Sequence, residues 1–144
     1  MKCWLAILFC ALATPLFGQQ AAAPHFRAIE VYVDSGNLPL AAYQVQFSVT
    51  NVTARIVGIE GGQHKAFREP PFYDPKAMQG ERVIIAAFST ETPGHLPSGK
   101  TRVATIHIMT IGETRPAFEL KLQAAADPAG KRISATVTCG EKPQ

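Results

Sequence analysis

The residues best suited to acid–base or nucleophilic chemistry are four histidines, His25, His64, His95 and His107, and the late cysteine Cys139. No serine stands in a Gly-x-Ser-x-Gly elbow, the turn that presents a hydrolase nucleophile, and no triad assembles from these positions. No two histidines share a ligand-like spacing and the chain has no close cysteine pair in its later part, so a zinc site is not indicated. The acids Glu30, Asp34, Glu60, Glu69, Asp74 and Asp127 are spread along the chain, whereas calcium needs several oxygens gathered in one loop. Asp34, in the run Asp34-Ser35-Gly36-Asn37, reads as an Asx-turn former. A carboxylate pair for glycoside hydrolysis is defined by distance in space and not by spacing, so nothing marks one here. No catalytic residue, metal or cofactor is therefore assigned, a non-enzymatic role is expected, and a hydrolase is the least favoured reading.

The sharpest patch lies at 64–74. His64, Lys65, Phe67, Arg68, Glu69, Phe72, Tyr73 and Asp74 mix aromatic bodies with charges, the composition of binding hot spots. Pro70-Pro71 would stiffen the segment and lower the ordering cost on binding. Phe67, Arg68, Glu69, Phe72, Tyr73 and Asp74 are accordingly the candidate partner-binding residues. A competing reading folds Phe67 and Phe72 inward as a lid. Asn51-Val52-Thr53 fits an N-glycosylation acceptor, or more simply a polar strand end.

These residues need a scaffold, and the first stretch of chain is not part of it. Lys2 precedes the apolar run Cys3–Ala13, then Pro15 breaks it and Gly18 offers a small residue before Gln19-Gln20. That is the layout of a secretory signal, with cleavage expected near Gly18 and a secreted or periplasmic destination. The run is shorter than the roughly 20 residues a membrane span needs, so no stable insertion is expected after cleavage. Loss of 1–18 removes Lys2 from the 14 basic residues and leaves 11 acids untouched, a net charge of +2. So weak an excess, with no Lys/Arg block, gives no footprint for nucleic acid. Cys3 and Cys10 leave too, so Cys139 has no internal partner for a disulfide.

After a flexible lead-in at 19–25, the pattern is period two, the mark of strands with one buried face. Ile29, Val31 and Val33 share a face. So do Ala41, Tyr43, Val45, Phe47 and Val49, and later Phe118, Leu120 and Leu122, then Ile133, Ala135 and Val137. Arg55–Glu60 and Thr101–Ile111 are further runs, and Arg82–Ser89, apolar on both parities, reads as a central strand. Turn signals separate them: Gly61-Gly62, Thr92-Pro93-Gly94, Pro97-Ser98-Gly99 and Asp127-Pro128-Ala129-Gly130. Asp74-Pro75 suggests one capped helical turn. The expected fold is an all-β antiparallel sandwich of about eight strands over 26–139, with a polar tail at 140–144.

The succession LAAYQVQFSVT (40–50), RIVGIEGG (55–62), RVIIAAFS (82–89) and TRVATIHIMTIG (101–112) resembles a cohesin-like domain. That resemblance implies a jelly-roll β-sandwich, related to carbohydrate-binding modules, that binds a protein partner without catalysis. Thr50-Asn51-Val52 stands where cohesins usually carry an Asp-Pro turn, and no partner-binding residue carries over. The leading expectation is an exported interaction module with a protein partner in the envelope or outside the cell. The alternative is a carbohydrate-binding module with a platform of Tyr32, Phe72 and Tyr73, since Trp4, the only tryptophan, departs with the signal.

Overall fold

The computed structural model describes residues 21–143. The expected signal segment at 1–18 and the first residues of the lead-in lie outside the described residues. Seven strands form: β1 (Pro24–Asp34), β2 (Ala42–Thr50), β3 (Ala54–Gly61), β4 (Arg82–Phe88), β5 (Lys100–Ile111), β6 (Ala117–Ala126) and β7 (Thr136–Glu141). Three single 3₁₀ turns, Lys65–Phe67, Pro75–Ala77 and Pro93–His95, sit in the long connections. All strand pairs are antiparallel. The sheets run β3-β5-β1-β7 and β4-β2-β6, so odd strands build one sheet and even strands the other. Every connection therefore crosses the sandwich, and no two consecutive strands pair as a hairpin.

The alternation predicts the interior well. Ile29, Val31, Val33, Val45, Phe47, Ile85, Val103, Ile106 and Ile108 are fully buried between the sheets. The central strand β5 is buried on nearly every residue from Thr101 to Ile108, because β3 and β1 flank it in the sheet. Phe118 stacks on Phe47 with centroids 5.6 Å apart and seals the β2–β6 side.

The seven strands in two sheets agree with the expected all-β sandwich of about eight, and four finer expectations change. β1 starts at Pro24, inside the expected lead-in, pairing Pro24 with Ile111 and His25 with Thr110. β7 runs through Gly140 and Glu141 into the expected tail, because β1 offers them partners at Glu30 and Ile29. Ile133 and Ala135 precede β7 and do not belong to it: Ile133 N–H donates to the Ala125 carbonyl at 2.9 Å, and the chain then crosses to the other sheet. Their parity with Val137 and Cys139 survives this crossing, since all four point toward the interior.

The fourth change concerns β4. It is not central but an edge strand, bonded to β2 on one side and touched on the other only by the bridge Phe72–Ala86. Val83 and Ile85 face the core, whereas Ile84 and Phe88 are 39% and 65% exposed. Apolarity on both parities here reflects a greasy outer face and not burial on two sides.

The glycine pair at 61–62 is fixed by close approach. Neither residue has a positive φ. A Cβ at Gly61 would run into the Arg68 carbonyl, and one at Gly62 into the Arg102 carbonyl. The segment 62–68 is thereby pressed onto the start of β5, with Gly62 N–H donating to Phe67 O at 2.6 Å and Gln63 N–H to Arg102 O at 3.1 Å.

Candidate functional site

The loop after β3 splits the six candidate residues between interior and surface. The imidazole Nδ1 of His64 accepts from Ala66 N–H at 3.1 Å and starts the first 3₁₀ turn. That turn swings Phe67 inward to 2% exposure, where it meets the Tyr43 ring edge to face at 5.3 Å. Phe67 is the lid. Arg68 and Glu69 follow on the exposed side, and Arg68 makes no ion pair among the described residues. Pro71 is buried, and Phe72 then pairs with β4: its N–H donates to Ala86 O at 2.8 Å and its carbonyl accepts from Ala86 N–H at 2.9 Å. Tyr73 turns back against the core. Asp74 caps the second 3₁₀ turn, its Oδ1 accepting from Lys76 N–H at 2.9 Å with Pro75 in the first position, as the sequence suggests.

Phe72 thus leaves the rest of its segment and joins the outer face of the three-stranded sheet. A paired residue shares the face of its partner, and Ala86 alternates with the inward Val83 and Ile85. The Phe72 ring is 69% exposed and lies nearly parallel to that of Phe88, 11° between planes and 6.1 Å between centroids. The two rings form a ridge with a hollow on each side. One hollow, about 240 Å³, is floored by the small outward residues Ala42, Ala86, Ala124 and Ala126 with Gln44 at its rim. The other, about 330 Å³, runs toward Glu69, Thr90 and Glu91. At its far wall Lys65 Nζ sits 3.0 Å from Glu91 Oε1, and that hydrogen bond holds the Glu91 carboxyl below its ordinary range.

Phe88 and Ile84 were not among the expected site residues. The signal for them was present in the two-sided apolarity of 82–89, which a buried strand and an exposed greasy edge share.

The three rings of the expected sugar platform do not converge. Tyr32 stands on the outer face of the other sheet, because Val31 and Val33 on either side of it point inward. Its hydroxyl donates to Glu30 Oε2 at 2.7 Å, and Lys100 Nζ covers one ring face 4.8 Å from the centroid. Tyr73 is packed inward, and Phe72 is on the opposite sheet. Sugar stacking needs free, coplanar faces side by side, and of this trio only Phe72 presents a free one.

A further hollow, about 550 Å³, lies on the outer face of the four-stranded sheet over Ala28 and Gly58, walled by Phe26, Glu60, His107 and Lys142. His107 Nε2 is 3.1 Å from Glu60 Oε1, without hydrogen-bond geometry. A histidine beside a carboxylate is a usable base. No serine, threonine or cysteine is among the residues that line the hollow. Asn51, the possible glycan acceptor, sits at φ 61° with Oδ1 accepting from Ala117 N–H at 2.8 Å and Nδ2 donating to Arg115 O at 3.2 Å. Its amide is already employed in joining the turn after β2 to the start of β6. No group of three or more potential metal ligands occurs among the described residues.

No protein-family model matches this chain, and no curated protein or solved structure matches it.

Proposed function

We propose that the chain is an exported, non-catalytic interaction module whose contact surface for a protein partner is the outer face of β4-β2-β6, centred on Phe72 and Phe88. The observation that carries this reading is the exposure of those two stacked rings, 69% and 65%, on a regular sheet face. Contiguous exposed apolar surface on a small domain marks a contact site more often than chance, and rigid aromatic rings with few rotamers lose little entropy when covered. The alanine floor beside the ridge leaves room for a partner's side chain, and Lys65, Glu69 and Glu91 supply a polar rim. The cohesin-like resemblance points the same way, since it implies a protein partner and no chemistry. Export belongs to the same proposal: the mass of the mature protein should correspond to a chain beginning at Gln19.

The test compares two faces of one molecule. Phe26, 61% exposed, lies on the other sheet and serves as the control. Immobilised parent protein and the variants Phe72→Ser/Phe88→Ser and Phe26→Ser are exposed to the native extracellular or envelope fraction. A partner retained by the parent and by Phe26→Ser, and lost with the double variant, supports the reading. Equal loss from both variants means general stickiness, and retention by the double variant removes this face from the account.

A further inference from the structure

The end of the sandwich where β3 stops and β5 begins gathers basic side chains from two distant stretches of sequence. Gln63, His64 and Lys65 come from the loop after β3, and Ser98, Lys100 and Arg102 from the entry to β5. The Gln63 N–H···O bond to Arg102 ties these walls together. Between them is a cleft of about 430 Å³ with no aspartate or glutamate in its lining. We propose that this cleft binds a dianionic oxyanion, phosphate or sulfate, either free or as an ester on a larger molecule. The inference shares only Lys65 with the rim of the aromatic face and does not depend on its rings.

The two lysines keep donors to offer a ligand, and Arg102 anchors the wall between them. Arg102 is the anchored one. Its Nη1 donates to Glu30 Oε1 at 3.0 Å and to Thr105 Oγ1 at 3.3 Å, and its Nε is buried, so it serves as a fixed wall charge. Glu30, on the neighbouring strand β1, holds the guanidinium, and no carboxylate lines the cleft. Lys100 has no carboxylate within ion-pair distance among the described residues; its ammonium is steadied over the Tyr32 ring, a contact that uses none of its hydrogen-bond donors in a conventional bond. Lys65 is paired with Glu91, but its side chain is 73% exposed, and an exposed pair of this kind is worth little and exchanges readily. His64 spends Nδ1 as an acceptor for Ala66 N–H, which places the hydrogen of the neutral ring on Nε2 and makes the ring a donor outward. Gln63 and Ser98 add neutral donors at the exposed rim.

Lys100, which has no counter-ion among the described residues, and Lys65, whose pair with Glu91 lies outside the cleft lining, match a charge of −2 better than a single carboxylate. Donors that approach from several directions suit a tetrahedral anion with many lone pairs, whereas the one planar fork, on Arg102, is already turned to Glu30.

Inorganic phosphate titrated near neutral pH and low salt into the full mature chain tests this, followed by backbone amide NMR and calorimetry. Expected are saturable shifts concentrated at Gln63, Ser98 and Lys100. Lys65→Gln/Lys100→Gln should weaken binding about tenfold, as loss of charge-assisted hydrogen bonds does, with Lys121→Gln on β6 leaving it unchanged. All three lysines are exposed, so these variants keep the fold. Sulfate and a phosphate monoester, run in parallel, tell a free ion from an ester: tighter binding of the monoester places the anion on a larger molecule. Shifts that never saturate, equal weakening by Lys121→Gln, or acetate binding as tightly as phosphate at equal ionic strength would each overturn the proposal.

Discussion

Tyr43 and Phe67 meet edge to face at 5.3 Å, and the Tyr43 hydroxyl passes on to donate to the Val103 carbonyl at 3.1 Å. One contact thus joins both sheets and the loop after β3. Phe67 supplies the only buried aromatic ring of that loop, so the loop's position rests on it. Phe67→Ala should cost about 3–5 kcal/mol in urea unfolding, the usual range for a buried phenylalanine. Phe72→Ala, five positions on and solvent-exposed, should cost less than about 1 kcal/mol. Similar costs for the two would mean that the loop does not use Phe67 as its plug.

Gly61 gives a second stability test with a different cause. The backbone of Arg68 lies where its Cβ would be. Gly61→Ala should therefore destabilise by about 3 kcal/mol, the upper range for overpacking. At Gly36, by contrast, φ is +60° with open space around it, so alanine there costs only the left-handed strain, about 1 kcal/mol. Denaturation midpoints of the two variants separate crowding from backbone strain. The reverse order of cost would show that the 62–68 loop yields and Gly61 is there for its turn alone.

How much of this was legible depends on what each residue's neighbours contribute. Alternation at 29–33 and 41–49 announces both the strands and their buried face, because these strands turn one side to the core and the other outward. Partners are another matter. Residues 82–89 are apolar on both parities, and whether Ile84 and Phe88 lie under a second layer or in water depends on strand order, which no local pattern carries. The loop at 64–74 shows the same limit: Phe67 and Phe72 are chemically alike, and only the 3₁₀ turn at Lys65 and the bridge to Ala86 send one inward and the other out. The basic cleft was invisible for a simpler reason. Lys65 and Lys100 are far apart in sequence and meet only because β3 and β5 pair antiparallel. Asp74 was readable, since a cap and a proline at fixed offsets act within one turn.

Alkaline pH should weaken the fold through two tyrosines. The hydrogen bond from Tyr32 to the Glu30 carboxylate, which a phenolate could not make, raises the Tyr32 pKa above its ordinary 10.0, and burial adds to it. Burial alone pushes the Tyr43 phenol up, well beyond the ordinary range. The sign follows from which state loses its proton first. Near pH 10 the unfolded chain releases these protons while the native one retains them, so the stabilisation is complete below that pH and falls away as pH rises through the folded values. Tyr32→Phe removes one of the two groups. Its unfolding free energy should therefore decline less steeply than the parent's between about pH 9 and pH 11. Parallel curves for the parent and the variant would show that Tyr32 titrates alike in both states.

Cys139 is half-buried on β7, opposite Val31 of β1, with its sulfur on the interior parity beside Val137. Burial raises the thiol pKa, so the thiolate, which is the reactive form, is scarcer than on an exposed cysteine. Both effects oppose attack: fewer thiolates, and a sulfur shielded by the sandwich edge. β7 is nevertheless an edge strand, hydrogen-bonded to β1 alone, so local opening there requires less than global unfolding. Alkylation of the mature protein at about pH 8 should thus be slow in buffer, rapid in concentrated guanidinium, and accelerated by raising pH. Weakening the β7–β1 contact should speed it selectively. Arg27 Nη1 reaches Glu141 Oε1 at 2.7 Å with both side chains about four-fifths covered, which ties the end of β7 to β1. Glu141→Gln should raise the labelling rate several-fold, about what a loss near 1 kcal/mol in local opening gives, with little change in the global unfolding midpoint. Labelling that rises only in step with global instability would mean that β7 opens with the rest of the sandwich. Fast labelling of the parent would place the thiol in water and contradict its burial.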